Sequence, residues 1–199
     1  MKKKIDFLFA GVGGQGTILA SDILTEVGLR CGYDVKKSEV HGMSQRGGAV
    51  ESHVRWGEKV YSPLIEEGRA DFLLGFEMLE AARWPHYLSP SSVALVNRFR
   101  LMPPAVNLGQ AAYPEEGEIE EILKRAGARV VWVEGAARAQ ELGNLALAGV
   151  VLLGALSGYL AEPAETWQAV IEEMVPPKFK EQNVKAFWAG REMTEEKSK

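Results

Sequence analysis

Residues 5–16 read IDFLFAGVGGQG, and the reading of this stretch decides the fold. Ile5 to Ala10 has the length and composition of a strand buried on both faces, and it opens directly into glycines. From Thr17 to Leu29, the apolar residues Ile18, Leu19, Ile23, Leu24 and Val27 fall at helical spacing, so a helix is expected. Strand, glycine turn and helix together open a βαβ unit. Gly11, Gly13 and Gly16 satisfy G-x-G-x-x-G, where glycine permits a tight turn, close approach of a ligand to backbone, and close helix–strand packing. A helix start also exposes unpaired N–H groups and a positive dipole end, which suit a phosphate. Gly11, Gly13, Gly14, Gln15 and Gly16 are therefore the first candidate ligand-binding residues. A tight crossover alone also asks for glycine, so the pattern leaves packing and ligand contact both open.

Glu39 lies a little over twenty residues beyond Gly16, after an expected second strand at 33–37. Nicotinamide enzymes keep their ribose-binding acid at that distance. A stand-alone NAD(P)- or flavin-binding dehydrogenase is thus the alternative reading of the turn.

With 199 residues, 46% hydrophobic and 25% charged, the chain has the balance of one globular α/β domain covering 1–199, long enough to bury a core without staples. A net charge of -4 and the lack of a basic stripe give no support to nucleic-acid binding. The lone Cys31 excludes an internal disulfide and an iron–sulfur cluster held by this chain alone, and it fits a reducing, cytoplasmic setting. MKKK before an apolar run resembles a secretory leader, but Asp6 interrupts the run and glycines close it early. Residues 145–161 carry no charge, yet Gly154 and Gly158 are placed for close helix packing. A buried helix, not a membrane span, is expected there.

Residues 42–48 read GMSQRGG and 49–56 read AVESHVRW. In the latter, Val50, Ser52, Val54 and Trp56 alternate with Glu51, His53 and Arg55, the period of a strand with one wetter face. Gly57-Glu58 offers a turn through which 59–62 can pair back as a hairpin, so the sheet is expected to be mixed. Further apolar strands are expected at 70–76, 92–97 and 129–134, and a loop at 98–112 around Pro103-Pro104. Helices are expected at 77–83, 136–142 and after Pro114, the last with Ile119, Ile122 and Leu123 inward. From residue 163 the composition shifts to two amphipathic helices, an arm that covers the sheet or reaches a partner, with a solvated tail from Thr194.

The polar cluster most suited to chemistry runs from Ser38 to His53. Arg46 beside Gly47-Gly48 offers a guanidinium fork next to bare backbone N–H groups, which fits a phosphate or carboxylate. Lys36 and Lys37 can add point charge. His41 and His53 have no nucleophile or metal-site spacing and read as structural, and His86 reads as exposed. No Walker lysine, nucleophile elbow or redox cysteine pair accompanies these groups. Binding surfaces without a reactive set point to a subunit that assists chemistry carried elsewhere.

GVGGQG, then KKSEVHGMSQRGG and the strand SHVRWG, resemble the gamma-type subunits of the 2-oxoacid:ferredoxin oxidoreductases, most closely their indolepyruvate branch. The resemblance covers most of the chain. It implies a three-layer, Rossmann-like α/β domain with a mixed sheet, a β-hairpin insertion and a C-terminal helical arm at 163–199. It also implies a heteromeric complex that oxidatively decarboxylates an arylpyruvate to its acyl-coenzyme A, with ferredoxin as acceptor. Thiamine diphosphate and the [4Fe–4S] clusters would belong to the large partner subunit, leaving this chain without a catalytic residue or metal of its own, inactive alone, and bound to neither nucleic acid nor membrane. Gamma domains help cover the coenzyme A site, which carries over to Gln45, Arg46, Gly47 and Gly48 with Lys36 and Lys37 in support. Some relatives have a lysine pair where this chain has Gln45-Arg46.

Overall fold

The computed structural model describes residues 3–41 and 48–195, His41 and Glu195 by backbone alone. In chain order the elements are β1 (Ile5–Val12), α1 (Thr17–Arg30), β2 (Asp34–His41), β3 (Ala49–Gly57), β4 (Phe72–Gly75), α2 (Met78–Ala81), β5 (Val93–Asn97), α3 (Pro104–Asn107), α4 (Glu116–Arg125), β6 (Arg129–Val133), α5 (Gly135–Glu141), α6 (Ala148–Ser157), α7 (Ala164–Met174) and α8 (Lys180–Glu195). The strands form one sheet in the order β2-β3-β1-β4-β5-β6. β1, β4, β5 and β6 run parallel, and β3 lies antiparallel between β1 and β2. This is the mixed α/β sheet that the sequence asks for.

β1 is buried at every position because helices cover both faces of the sheet. Phe7 and Phe9 face one core with Ile23, Leu24, Trp56 and residues of α6, α7 and α8. Leu8 and Ala10 face a second with Met78, Leu73, Ile119 and Leu123. Three layers result. The 163–195 segment packs along its described length as part of the first layer: Trp167, Val170, Ile171 and Phe187 are fully buried. α6, the apolar stretch, is buried at all ten positions, and no described helix is long and apolar enough to cross a membrane. Its glycines serve the contact with α8, since a Cβ on Gly154 would overlap the carbonyl oxygen of Phe187 and one on Gly158 the hydroxyl of Thr194.

Several expectations need correcting. The hairpin is formed by β2 and β3, and residues 59–62 do not pair as a strand. Pro63 lacks a donor, the Val60 N–H is taken by Asp34 Oδ2 at 2.9 Å, and the Ser62 and Leu64 carbonyls accept from Arg55 Nη1 at 3.0 and 2.7 Å. Side-chain bonds have replaced the ladder. That same segment covers the face of β3 read as wetter, so Glu51, His53 and Arg55 are all buried. Arg55 is neutralised by Asp6 (Nε–Oδ1 2.9 Å), itself buried on β1. Ser38 to His41 belongs to a strand and not to a loop. Residues 104–107 of the expected loop form a helical turn. On α1 the buried stripe is Ala20, Ile23, Leu24 and Val27, while Ile18 and Leu19 are exposed at 51% and 36%. Ile122 is also exposed. The tail begins later than expected, since Thr194 is buried within α8.

Candidate functional site

The glycine turn sits at the carboxyl end of β1, where the chain goes outward to β2 and β3 and later returns to β4 on the other side. Such a reversal leaves a crevice at the strand ends, the usual ligand position in open α/β sheets. The glycines divide the work. Gly11 is a packing glycine: a Cβ there would stand 2.8 Å from Thr17 Cγ2 and 2.9 Å from Phe76 Cβ. Gly14 and Gly16 adopt left-handed backbone (φ 103° and 81°), and around Gly14 there is open space. Gln15 folds the turn itself, its Oε1 accepting the Val12 N–H at 2.7 Å while its own N–H donates to Val12 O. Gly13 N–H donates to Gly48 O at 2.9 Å, which fixes the end of the GMSQRGG stretch against the turn. Gln45, Arg46 and Gly47 lie outside the described residues, as do Gly42 to Ser44.

Two concavities flank the turn. The larger, about 660 Å³, is lined by Gly14, Gly16, Ile18, Leu19, Asp22 and Val50. Ile18 and Leu19 are therefore not misplaced core residues; they form an apolar wall beside the open first-turn N–H groups of α1. The smaller, about 310 Å³, lies at the strand ends between Gly13–Gln15 and the wall of Phe99 and Leu101, with Phe76 and Asn97 beneath. Asn97 is fully engaged, donating to Phe76 O at 3.1 Å and accepting from Ala136 N at 3.0 Å. Arrangements of this kind bind; among the described residues no group of three or more His, Cys, Asp or Glu side chains is placed to hold a metal, and the larger concavity is lined in part by Thr17 and Asp22.

The two lysines are separated by the pleat. Lys37 faces α1 and is held between Asp22, which lines the larger concavity, and Glu39. Lys36 is on the opposite face and pairs with Asp34 at 2.6 Å; that contact, then the Val60 N–H, holds the Asp34 carboxyl below its ordinary value. His53 uses both ring nitrogens structurally, Nε2 meeting Glu51 Oε1 at 3.1 Å and Nδ1 accepting from Ile65 N–H at 3.2 Å. His86 is exposed beside Pro85. Glu39 does not stand where a dinucleotide site needs its acid. β3 intervenes between β1 and β2, which moves Glu39 two strand spacings, roughly 10 Å, from the turn's own strand, and Lys37 occupies its carboxylate.

One buried cluster at the strand ends was not anticipated. Glu77 stands two residues beyond the last residue of β4 and is 1% exposed; its Oε1 accepts from Leu101 N–H at 3.0 Å and from the Tyr113 hydroxyl, and its Oε2 from Glu80 N–H at 2.8 Å. Burial and then the Glu77 carboxylate hold the Tyr113 phenol above its ordinary value, so it remains a donor. The signal was a polar residue terminating an apolar parallel strand (ADFLLGF-Glu77), a position that faces the crevice.

With this geometry in view, the relatives are informative. Residues 6–193 match the family described as pyruvate ferredoxin/flavodoxin oxidoreductase. The indolepyruvate oxidoreductase subunit IorB of Thermococcus kodakarensis is 39% identical over 94% of this chain and 95% of its own, and that of Archaeoglobus fulgidus is 37% identical over 94% of each. Among solved structures, the keto/oxoacid ferredoxin oxidoreductase gamma subunit of Geobacter sulfurreducens superposes with a TM-score of 0.70 at 25% identity, covering 96% of this chain and 99% of that one. The 2-oxoglutarate:ferredoxin oxidoreductase of Magnetococcus marinus, solved with 2-oxoglutarate, coenzyme A and succinyl-CoA, has the same fold over 98% of this chain and 32% of its own, with a TM-score of 0.76 at 21% identity. A six-stranded mixed sheet with a glycine turn at its strand ends, matched over nearly its whole length by such subunits, places the chain in the pyruvate ferredoxin/flavodoxin oxidoreductase family, as one of its gamma-type oxidoreductase subunits.

Proposed function

We propose that this chain, acting as one gamma-type unit over residues 1–199, is the small subunit of an indolepyruvate (arylpyruvate) ferredoxin oxidoreductase in the cytoplasm. Its partner is the large subunit, which carries thiamine diphosphate and [4Fe–4S] clusters, and ferredoxin receives the electrons from the complex. Overall, a 2-oxoacid and coenzyme A give the acyl-coenzyme A, carbon dioxide and a proton, and two electrons pass to two ferredoxins. Similarity to the IorB subunits is 33–39%, against 26–27% for the 2-oxoglutarate synthase subunits KorC, which favours an arylpyruvate over 2-oxoglutarate.

This chain's part is to cover and anchor coenzyme A. The carrying observation is the Gly13–Gly48 backbone bond, which joins the two glycine motifs into one lip. The open space at Gly14 fits a group that must approach backbone closely, and the α1 N-terminus fits a phosphate. Arg46 would then supply the positive charge, since Lys37 is already committed to two carboxylates. Lys36, on the opposite face of β2, is paired with Asp34. Thiamine diphosphate, when bound by the partner, supplies the electron sink for decarboxylation.

Reconstitution tests this. The chain alone should be inactive, and the purified pair should reduce viologen with indolepyruvate and coenzyme A. Arg46→Glu should raise the apparent KM for coenzyme A by about tenfold, the loss of one charge-assisted contact, with carbon dioxide release preserved. A well-folded pair without activity, or turnover by the chain alone with a nicotinamide or flavin, overturns the reading.

A further inference from the structure

The segment from Phe99 to Tyr113 forms one wall of the smaller concavity, and its anchoring is out of proportion to a surface excursion. Phe99 O accepts from Met78 N–H at 3.1 Å. Leu101 N–H, two residues on, donates to the buried Glu77 carboxylate. The far end returns as Tyr113, whose hydroxyl donates to that same carboxylate and accepts from Leu79 N–H at 3.1 Å. Arg100 lies over the Tyr113 ring at 5.4 Å and pairs with Glu115 at 3.1 Å. Both ends of the excursion are thus clamped to one buried acid at the end of β4. Facing the clamped wall is the turn at Gly13–Gln15.

We infer that Glu77 and Tyr113 are positioning residues for coenzyme A, holding the Phe99–Leu101 wall at a fixed distance from the glycine turn so that the cleft admits the uncharged arm of the ligand. This rests on the reading that coenzyme A binds at the turn. The chemistry of the cleft supports the assignment: Phe76, Phe99, Leu101 and Leu145 are apolar, and the open backbone at Gly14 lies on its rim, where the phosphates would go. Neither Glu77 nor Tyr113 touches the cleft itself; both act through the wall. Exposed Leu101, Met102 and Leu108 would otherwise let this excursion collapse into the cleft to shed water-exposed apolar surface.

The test uses the reconstituted pair. Tyr113→Phe keeps the ring and removes the clamp at one end. It should raise the apparent KM for coenzyme A about fivefold, the scale of one lost hydrogen bond, while kcat at saturating coenzyme A stays within about twofold and the KM for indolepyruvate is unmoved. Glu77→Gln retains one acceptor and should fall between wild type and Tyr113→Phe. A merely structural role would instead lower the melting temperature and kcat together through lost assembly, leaving the KM for coenzyme A unchanged, and that result overturns the inference. If wild type responds to coenzyme A and to Arg46→Glu as proposed but Tyr113→Phe behaves as wild type, the clamp fails and the site stands. A wild-type pair whose turnover is independent of coenzyme A brings down both.

Discussion

The same substitution, glycine to alanine, should have opposite effects at two helical positions, and the structure fixes the sign of each. At Gly190 on α8, an added Cβ would overlap the carbonyl oxygen of Val151 and stand 2.8 Å from its carbonyl carbon and 3.0 Å from Ala155 N. Every clashing atom is helix backbone, so no side-chain rotation relieves it. α6 and α8 must separate by about an ångström, and a gap of that size forfeits a quarter to a half of each dispersion contact along the seam. The seam includes the fully buried Val151, Ala155, Ala186 and Phe187. Overpacking costs about 1–3 kcal/mol in a core that can yield, and an unyielding backbone puts this site at the upper end. Alanine's helix propensity returns about 1 kcal/mol, for a net loss of about 2 kcal/mol. For a chain of this length that lowers Tm by about 4–8 °C. Gly117 in α4 is exposed with nothing within 4 Å of its would-be Cβ, so Gly117→Ala gains the propensity alone and should raise Tm by about 2–4 °C. Thermal melts followed by circular dichroism measure both. A Gly190→Ala protein that melts at or above the wild-type temperature would refute the close α6–α8 contact, whatever Gly117→Ala does.

Burial pushes the Glu80 carboxyl above its ordinary value, with Arg83 opposing, so the folded chain holds that proton more tightly than the unfolded one. That contribution is present below the ordinary carboxylate range and is lost as pH rises through the raised value. Glu80→Gln should therefore shift Tm more favourably, by about 2 °C or more, at about pH 8 than at about pH 4; an equal shift at both would remove the burial argument. Arg55→Met leaves the buried Asp6 carboxylate with Lys4 alone and strands the Ser62 and Leu64 carbonyls, at a cost near the lower end of about 3–5 kcal/mol in urea unfolding, and the double variant with Asp6→Asn should recover part of it. A double variant no more stable than Arg55→Met would mean that the ion pair is not what holds residues 62–64.

The elements were legible where periodicity and burial agree. β1, the first turn and α1 follow from IDFLFAGVGGQG, and the Gly154 and Gly158 pair announced a close helix contact before any neighbour was known. Faces were less legible. Glu51, His53 and Arg55 alternate as a solvated face should, yet they are buried, because each has a partner contributed from outside β3 or along it: Asp6, the carbonyls at 62 and 64, and the N–H of Ile65. Period-two polarity therefore reports which residues share a face and not what covers it. Ile18 and Leu19 show the converse: they share the helical spacing of the apolar residues of α1, yet they are exposed and line a concavity.

What separates this glycine turn from a nicotinamide site is strand order, and strand order is not written in the turn. G-x-G-x-x-G with an acid some twenty residues on describes both folds equally well. The difference lies in β3, which leaves the hairpin and inserts antiparallel beside β1, from Ile5↔Trp56 to Val12↔Ala49. Gly48, just before it, then meets Gly13 where a dinucleotide enzyme would present the neighbouring parallel strand with its ribose acid. The insertion accomplishes two things in one step: it removes Glu39 from reach and brings Gly48 to the turn. A turn that would have a ribose-binding acid on the neighbouring strand has instead the Gly48 carbonyl against Gly13 N–H and no acid beside it.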